Sequence, residues 1–549
     1  VGGVGSSLAT QSVKVAFDLP LALPADPTSS SYGYVINGAG PNPTTIATNN
    51  TRDAAGGNVS FMGDLNADGY DDVAVGDTIN RKVYVVFGHS GTAKTDMSSV
   101  SGGSNGFTVY MNTVTNGVTD AYFDVTSADF NGDGLNDLMI SASPASADMR
   151  NASAFVFYGQ SNTNISFGNG FATPSLGFKI SDGDGVNNYA GIASKVLLTG
   201  SALVAPYAGG DPNNIGLNGA GDVNADGFED YIVGEVMTGR AFVLFGASDG
   251  SVNYDLPDGR TFTSMDSSRG FAIVAHDALG YWGGANVGGG GDINGDGLDD
   301  LVMATEAVGP SSASGGAAVV NVVFGKSSGN TVFASDLSAA SNTLGFRITE
   351  AGQSVSSAGT GLGVPNNQGK AQILGDVNGD GLADIGIAQY DRAVVVFGKT
   401  DGSSVSASAI AAGTSSSGFA IQGAAAAMGG FGFMVNAGDM NADGLADMVI
   451  QTSGSRAYLV FGQTAGSTVI QLTSPDLTKF VPVTNEGGSG GQSSISAAGD
   501  VNGDGFDDLI IGVTTGDAAS ANVGRAYIVY GGMSDITPSV FQATRGDLI

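Results

Sequence analysis

The sequence predicts an all-β chain, a seven-bladed β-propeller with four antiparallel strands per blade. Three repeated features carry this: a nine-residue acidic motif found seven times, an apolar strand ending in an aromatic and a glycine found beside each copy, and a strand opening on Gly-Phe. The acidic motif reads D-x-N-x-D-G-x-x-D and begins at Asp64, Asp129, Asp222, Asp292, Asp376, Asp439 and Asp500, with starts 65, 93, 70, 84, 63 and 61 residues apart. Its five fixed positions never vary, which excludes a chance origin. Four strands per unit in seven units make a propeller, whose radial repetition leaves only short, protected edges.

The motif has the spacing of a calcium loop. A hard cation such as Ca2+ takes six to eight oxygen ligands at about 2.3 to 2.6 Å, and alternate side chains of a tight loop point inward to supply them. In the first copy these are Asp64, Asn66, Asp68 and Asp72, with the backbone carbonyl of Tyr70 between them and Gly69 permitting the turn. The second and third copies offer Asp129, Asn131, Asp133, Leu135 and Asp137, then Asp222, Asn224, Asp226, Phe228 and Asp230. The fourth and fifth offer Asp292, Asn294, Asp296, Leu298 and Asp300, then Asp376, Asn378, Asp380, Leu382 and Asp384. The last two offer Asp439, Asn441, Asp443, Leu445 and Asp447, then Asp500, Asn502, Asp504, Phe506 and Asp508. Position 7 varies among Tyr, Leu and Phe, as a backbone donor allows.

An EF-hand shares the opening of this motif but closes with Glu at position 12 between two helices. Here position 12 is apolar in every copy (Val75, Ile140, Val233, Met303, Ile387, Ile450, Ile511) and lies in a β-prone run, so the loop leads into a strand and position 9 must close the site. A small-residue-rich strand precedes each loop, as in 58–63, 433–438 and 493–499. After the apolar second strand come the aromatic-Gly strands, 83–88, 154–159, 241–246, 320–325, 393–398, 457–462 and 526–531. The Gly-Phe strands follow at Gly106, Gly177, Gly270, Gly345 and Gly418, with a degenerate sixth near 479–483. No such strand follows the seventh aromatic-Gly element, whereas 32–37 resembles one at the front, so the N-terminal strand is expected to close the ring in the last blade.

On these loops, strand ends and copy number the repeat resembles the FG-GAP repeat of integrin α-subunit propellers and of many bacterial surface and secreted proteins. The resemblance spans nearly the whole chain and implies Ca2+ between the first and second strands of each blade, about seven sites in all. Integrin propellers are similar but carry such loops on only some blades; seven intact loops point to the bacterial relatives. The chain is then one domain, 1–549, with a repeat body of about 32–531, an insertion of about 188–218 in the widest gap and a tail at 532–549.

Composition sets the surroundings. The formal charge is -32, and of 52 acidic residues 21 are the loop aspartates; seven bound Ca2+ bring the charge to about -18. The remaining acidity disfavours nucleic acid, and the 20 Lys and Arg form no basic run. There is no Cys, so the metal sites replace disulfides as staples. Repeated calcium loops suit calcium-rich surroundings, so an extracellular, secreted or cell-surface setting is expected. Residues 1–20 lack a signal peptide and no stretch reaches the roughly 18 apolar residues of a membrane span, which reads as a processed form or an excised fragment.

No catalytic constellation stands out. His89 follows an aromatic-Gly strand end, His276 adjoins Asp277, Trp282 is the single Trp, and the glycines at 288–291 lack the Lys-Ser/Thr ending of a phosphate loop. Asp182 to Gly185 resembles half a calcium loop without its closing Asp and reads as an exposed turn. Arg545, Gly546 and Asp547 form the tripeptide that many integrins recognise, and read as a chance occurrence in a tail. The expected function is a non-enzymatic calcium-binding adhesion, interaction or assembly module with a protein or glycan partner on a propeller face, self-assembly included. The alternative is a calcium-dependent lectin or carbohydrate-active enzyme using the propeller as scaffold.

Overall fold

The structure is a computed structural model and describes residues 21–22, 33–37, 55–77, 82–91, 95–100, 104–110, 121–144, 153–159, 165–166, 177–180, 217–235, 240–247, 267–274, 283–305, 319–339, 342–349, 371–389, 392–423, 431–452, 456–473, 476, 478–484, 493–513 and 525–531. Outside these lie His276, Trp282, 182–185, Arg545, Gly546, Asp547, the tail 532–549 and all but the last two residues of the segment read as an insertion.

Seven sheets form seven blades, numbered here by their loops. Blade 1 has strands Ala55–Gly63, Asp72–Asp77, Lys82–Val86 and Gly106–Tyr110; blade 2 has Ala121–Ala128, Asp137–Pro144, Ser153–Phe157 and Gly177–Ile180. Blade 3 has Leu217–Gly221, Asp230–Glu235, Arg240–Leu244 and Gly270–Val274; blade 4 has Gly283–Gly289, Leu301–Thr305, Val319–Val323 and Gly345–Thr349. Blade 5 has Ala371–Gly375, Asp384–Ala388, Arg392–Val396 and Gly418–Gln422; blade 6 has Phe431–Gly438, Asp447–Thr452, Arg456–Val460 and Phe480–Thr484. Within each blade these strands pair antiparallel in chain order, including the sixth Gly-Phe strand that looked degenerate.

Blade 7 takes Ser493–Gly499, Asp508–Val513 and Arg525–Val529 from one end of the chain and Gly33–Asn37 from the other. Gly33 faces Val529 and Asn37 faces Arg525, so the front of the chain supplies the fourth strand, as its Gly-Tyr pattern suggested.

Six blades carry a fifth, very short strand on the outer edge, parallel to the fourth. It comes from the connection between the third and fourth strands of the next blade: Thr95–Asp96 of blade 1 lies on blade 7, Ile165–Ser166 on blade 1, Val332–Phe333 on blade 3, Val405–Ser406 on blade 4 and Val469–Gln471 on blade 5. Leu21–Ala22, just before the closing strand, does the same for blade 6. Among the described residues, blades 1, 2, 4, 5 and 6 thus clasp their predecessors, and the N-terminal segment clasps blade 6 while completing blade 7. Four strands per blade describe the antiparallel part only.

The first strands of adjacent blades meet around the centre, and their small residues follow from that crowding. A side chain at Gly289 would sit 2.7 Å from the backbone of Ala220 in the previous blade, and Gly290 donates to Ala220 O across the same boundary at 2.9 Å. Among the described residues the buried side chains fall into seven clusters, one between each pair of neighbouring blades. Apolar burial therefore glues blade to blade, as in a solenoid closed on itself. The aromatic before the strand-end glycine meets the aromatic of Gly-Phe in the same blade, Phe87 with Phe107 at 6.1 Å and Phe324 with Phe346 at 6.0 Å, both edge-to-face.

Candidate functional site

Each acidic motif forms the turn between the first and second strands, and all seven share one hydrogen-bond scheme. The carboxylate at position 1 accepts from the peptide N–H groups of positions 5 and 6: Asp64 takes Asp68 N–H at 3.0 Å and Gly69 N–H at 2.9 Å, and Asp500 takes Asp504 and Gly505 at 2.9 and 2.7 Å. The carboxylate at position 5 accepts from the N–H of position 7, as Asp68 does from Tyr70 and Asp443 from Leu445, both at 3.0 Å. The tip, positions 4 to 6, is exposed in every loop. Backbone φ is positive at position 6, from 85° at Gly444 to 92° at Gly505, and also at position 4, where Ala67, Ala225 and Ala442 hold φ near 60° and the other four copies have Gly.

The base of the loop is built from residues that the pattern x-x-D hides. The position-9 aspartates, Asp72, Asp137, Asp230, Asp300, Asp384, Asp447 and Asp508, are all 0% exposed. Each accepts two backbone N–H groups. One comes from position 2 of its own loop, Leu65 to Asp72 at 3.0 Å and Ile293 to Asp300 at 2.8 Å. The other comes from the glycine ending the third strand: Gly88, Gly159, Gly246, Gly325, Gly398, Gly462 and Gly531, at 2.7 to 2.9 Å. The aromatic-Gly element thus docks onto the acidic motif. Glycine is required there because a Cβ on Gly398 would lie 2.6 Å from Ala383 O and 2.8 Å from Ile293 O of the previous blade. Position 2, always apolar, is a buried plug (Leu65, Phe130, Val223, Ile293, Val377, Met440, Val501).

Burial pushes the position-9 carboxyls up to about 8, and to about 7 for Asp447; the nearby position-5 and position-1 carboxylates push the same way, while the two N–H donors oppose them. Seven buried acids, each beside two more, have no cationic side chain among these causes.

Part of the predicted ligand set lies together. The position-3 amide donates to the position-5 carboxylate at 2.9 to 3.0 Å from Asn224, Asn294, Asn378 and Asn441. Asn378 Nδ2 also lies 3.3 Å from Asp384 Oδ1, and Asn131 Nδ2 lies 3.5 Å from Asp137 Oδ1, so positions 3, 5 and 9 converge. In the first loop Asn66 Oδ1 is buried and has no hydrogen-bond partner. An all-oxygen donor set with such an orphaned acceptor fits a hard cation. Among the described residues no three His, Asp or Glu side chains form a ready metal-holding group, since the position-1 oxygens turn to backbone N–H and position 3 is an amide. At position 7, Tyr70, Leu135, Phe228, Leu298, Leu382, Leu445 and Phe506 are half-buried, and the ring of Phe228 covers Gly132 of the preceding loop. Asn502 occupies position 3 of the last loop, half-buried beside the plug Val501.

Residues 492–529 match the FG-GAP repeat family, and that segment spans the first three strands and the loop of blade 7. Blade 7 thus carries an FG-GAP repeat, within a seven-bladed propeller. The other six blades repeat the same hydrogen bonds between loop and strand end. Two solved structures of similar extent are crystal structures of BBS1N in complex with ARL6DN, soaked with lead (9% identity, 87% of this chain, 92% of that chain) and with mercury (8% identity, 88% and 95%), each with a TM-score of 0.39. No curated protein matches the sequence.

The FG-GAP propeller is in general an interaction-type scaffold rather than a catalytic one. His89 is a turn residue: its N–H donates to Val501 O of blade 7 at 2.8 Å, and Nδ1 accepts from Gly91 at 3.1 Å. Burial lowers its pKa. Among the described residues no helix is long and apolar enough to cross a membrane.

Proposed function

We propose that the chain is an extracellular or cell-surface calcium-binding propeller that acts, without catalysis, as an adhesion, interaction or assembly module. The reading rests on one observation: at the base of every loop a fully buried aspartate stands against two further carboxylates, with Asn66 Oδ1 orphaned in the first loop. Calcium held by positions 1, 3, 5 and 9 and the position-7 carbonyl supplies the missing positive charge. Such a metal is structural, because position 9 also fastens the strand-end glycine of the same blade. Calcium-dependent rigidity suits surroundings where calcium is plentiful, and a ring of exposed loop tips on a stiff body leaves the side chains of one face free to vary for a protein or glycan partner.

The test is thermal unfolding of metal-free protein with and without calcium, joined to a glycan array read in both conditions. A higher midpoint in calcium with a blank array is the expected result. An unchanged midpoint overturns the structural role of the metal, and calcium-dependent glycan binding replaces the present reading with a lectin-like one.

A further inference from the structure

The loops are joined to one another around the ring, and the joints are of two kinds. At five of the seven joints the peptide N–H of position 8 in one loop donates to the position-1 carbonyl of the preceding loop: Asp71 to Asp500 O, Glu229 to Asp129 O, Asp299 to Asp222 O, Ala383 to Asp292 O and Ala446 to Asp376 O, at 2.9 to 3.3 Å. Some joints add a side chain. Asp71 Oδ2 accepts the N–H of Asp500 at 2.8 Å, Glu229 Oε2 that of Asp129 at 2.7 Å, and Asp299 Oδ2 that of Asp222 at 2.9 Å; Asp507 bonds to the backbone of Asp439 in the same way. Ala383 and Ala446 have no such group, and Asn136 stands at the equivalent place beside Gly63.

The charged joints are matched in size. The residue before position 1 is Gly499, Gly221 or Gly438 where the next blade brings an Asp, and a Cβ there would fall 2.0 to 2.3 Å from that carboxylate. Where this residue is Ala128 the next blade brings the longer Glu229. Each carboxylate thus sits in a fitted cradle, bonded to the ligand residue of one loop and adjacent in sequence to ligand positions 7 and 9 of the next.

We propose that Asp71, Glu229, Asp299 and Asp507 are positioning residues, each serving two calcium loops at once. They divide the ring into two coupled arcs: the loops of Asp439, Asp500 and Asp64, and those of Asp129, Asp222 and Asp292. The loop of Asp376 lies between the arcs, hydrogen-bonded to its neighbours through backbone at position 8, with no carboxylate at either joint. Fixing position 1 by a cation in one loop holds the carboxylate that flanks positions 7 and 9 of the next, so filling the first loop preorganises the second, and the same negative charge attracts both ions. The inference rests on the calcium reading and adds to it that the seven loops are not equivalent.

Calorimetric titration of the metal-free full-length chain with calcium tests it, with melting in chelator as a second readout. In Asp299→Asn two of the seven ions, those of the Asp222 and Asp292 loops, are expected to bind about tenfold more weakly while the rest are unchanged. The midpoint in chelator should not fall, because a half-buried charge has been removed rather than a packing contact. Glu229→Asp, too short for its cradle, should weaken the Asp129 and Asp222 loops, and adding Ala128→Gly should restore them by recreating the Asp-over-Gly pairing. Unaltered affinities in Asp299→Asn, a change at one loop only, or an equal loss of midpoint with and without calcium overturns the coupling while leaving the calcium reading standing. A wild-type chain that takes up no calcium overturns both.

Discussion

The base and the tip of each loop lie only a few residues apart and are built on opposite principles. At the base the aspartate and the plug are buried, the strand-end glycine is buried or half-buried, and both carboxylate oxygens of the aspartate accept backbone N–H groups. At the tip, positions 4 to 6 are exposed, two residues hold left-handed backbone, and the carboxylates bond mostly within their own loop. One motif therefore does two jobs: its base fixes where three strands of a blade meet, and its tip, being local and accessible, is where the proposed ion would enter.

Removing calcium should bring the largest change, because it strips compensation from base and tip together. Dialysis against chelator is expected to lower the melting midpoint by about 10 °C or more. A drop of similar size in variants whose tip carboxylates are replaced, such as Asp380→Asn with Asp443→Asn, would show that metal acts through the tip.

The next largest effect separates two glycines of one blade. Gly398→Ala, at the base, drives a methyl group into carbonyl oxygens of two blades and should cost about 3 kcal/mol in denaturant unfolding, calcium present or absent. Gly381→Ala, at the tip, meets nothing within 4 Å but must keep a φ of 88°, and should cost about 1 kcal/mol. Equal costs would abolish the distinction between base and tip.

Acidity sharpens the same contrast. The base carboxyls have folded-state pKa values of about 8, or 7 at Asp447, above the ordinary value of 3.8, so the metal-free fold prefers them protonated. Their contribution is fully present below about pH 4, falls away as pH rises from there, and is lost once pH passes 7 to 8. Metal-free protein should accordingly melt lower at pH 9 than at pH 6, and calcium should flatten that slope. A slope equally steep with calcium would mean that the ion does not reach the base. The smallest effect is expected from Ala442→Gly, which relieves a non-glycine residue at φ 60° and should leave stability within about 1 kcal/mol of wild type or slightly above it, read from the denaturation midpoint.

Much of this molecule was legible in the sequence because its repeats fix local backbone geometry. The glycine at position 6 announces a left-handed turn, the apolar residue at position 12 announces a strand, and the stray Gly-Tyr element at the front is the partner that 525–529 lacks. The hidden parts depend on contacts between distant segments. Asp300 and Gly325 are 25 residues apart and joined by one hydrogen bond; nothing in either motif names the other. The apolar residue at position 2 and the acid at position 8 read as free positions until the plug and the joint are seen. The clasping strands are two or three residues long, too short for any alternation to register.

The closing strand also decides how the ring responds to tension. Gly33 lies opposite Val529, so the segments leading away from both strands leave the seam at the same end. A pull on those two segments opens the five residue pairs one after another, as a zipper does, rather than loading them together in shear. Before the zipper can run, Leu21–Ala22 must peel from blade 6, and Thr95–Asp96 grips the closing strand along its other side. The seam is therefore a mechanical fuse with a catch on it: easy to part once released, and guarded at its first step by two residues.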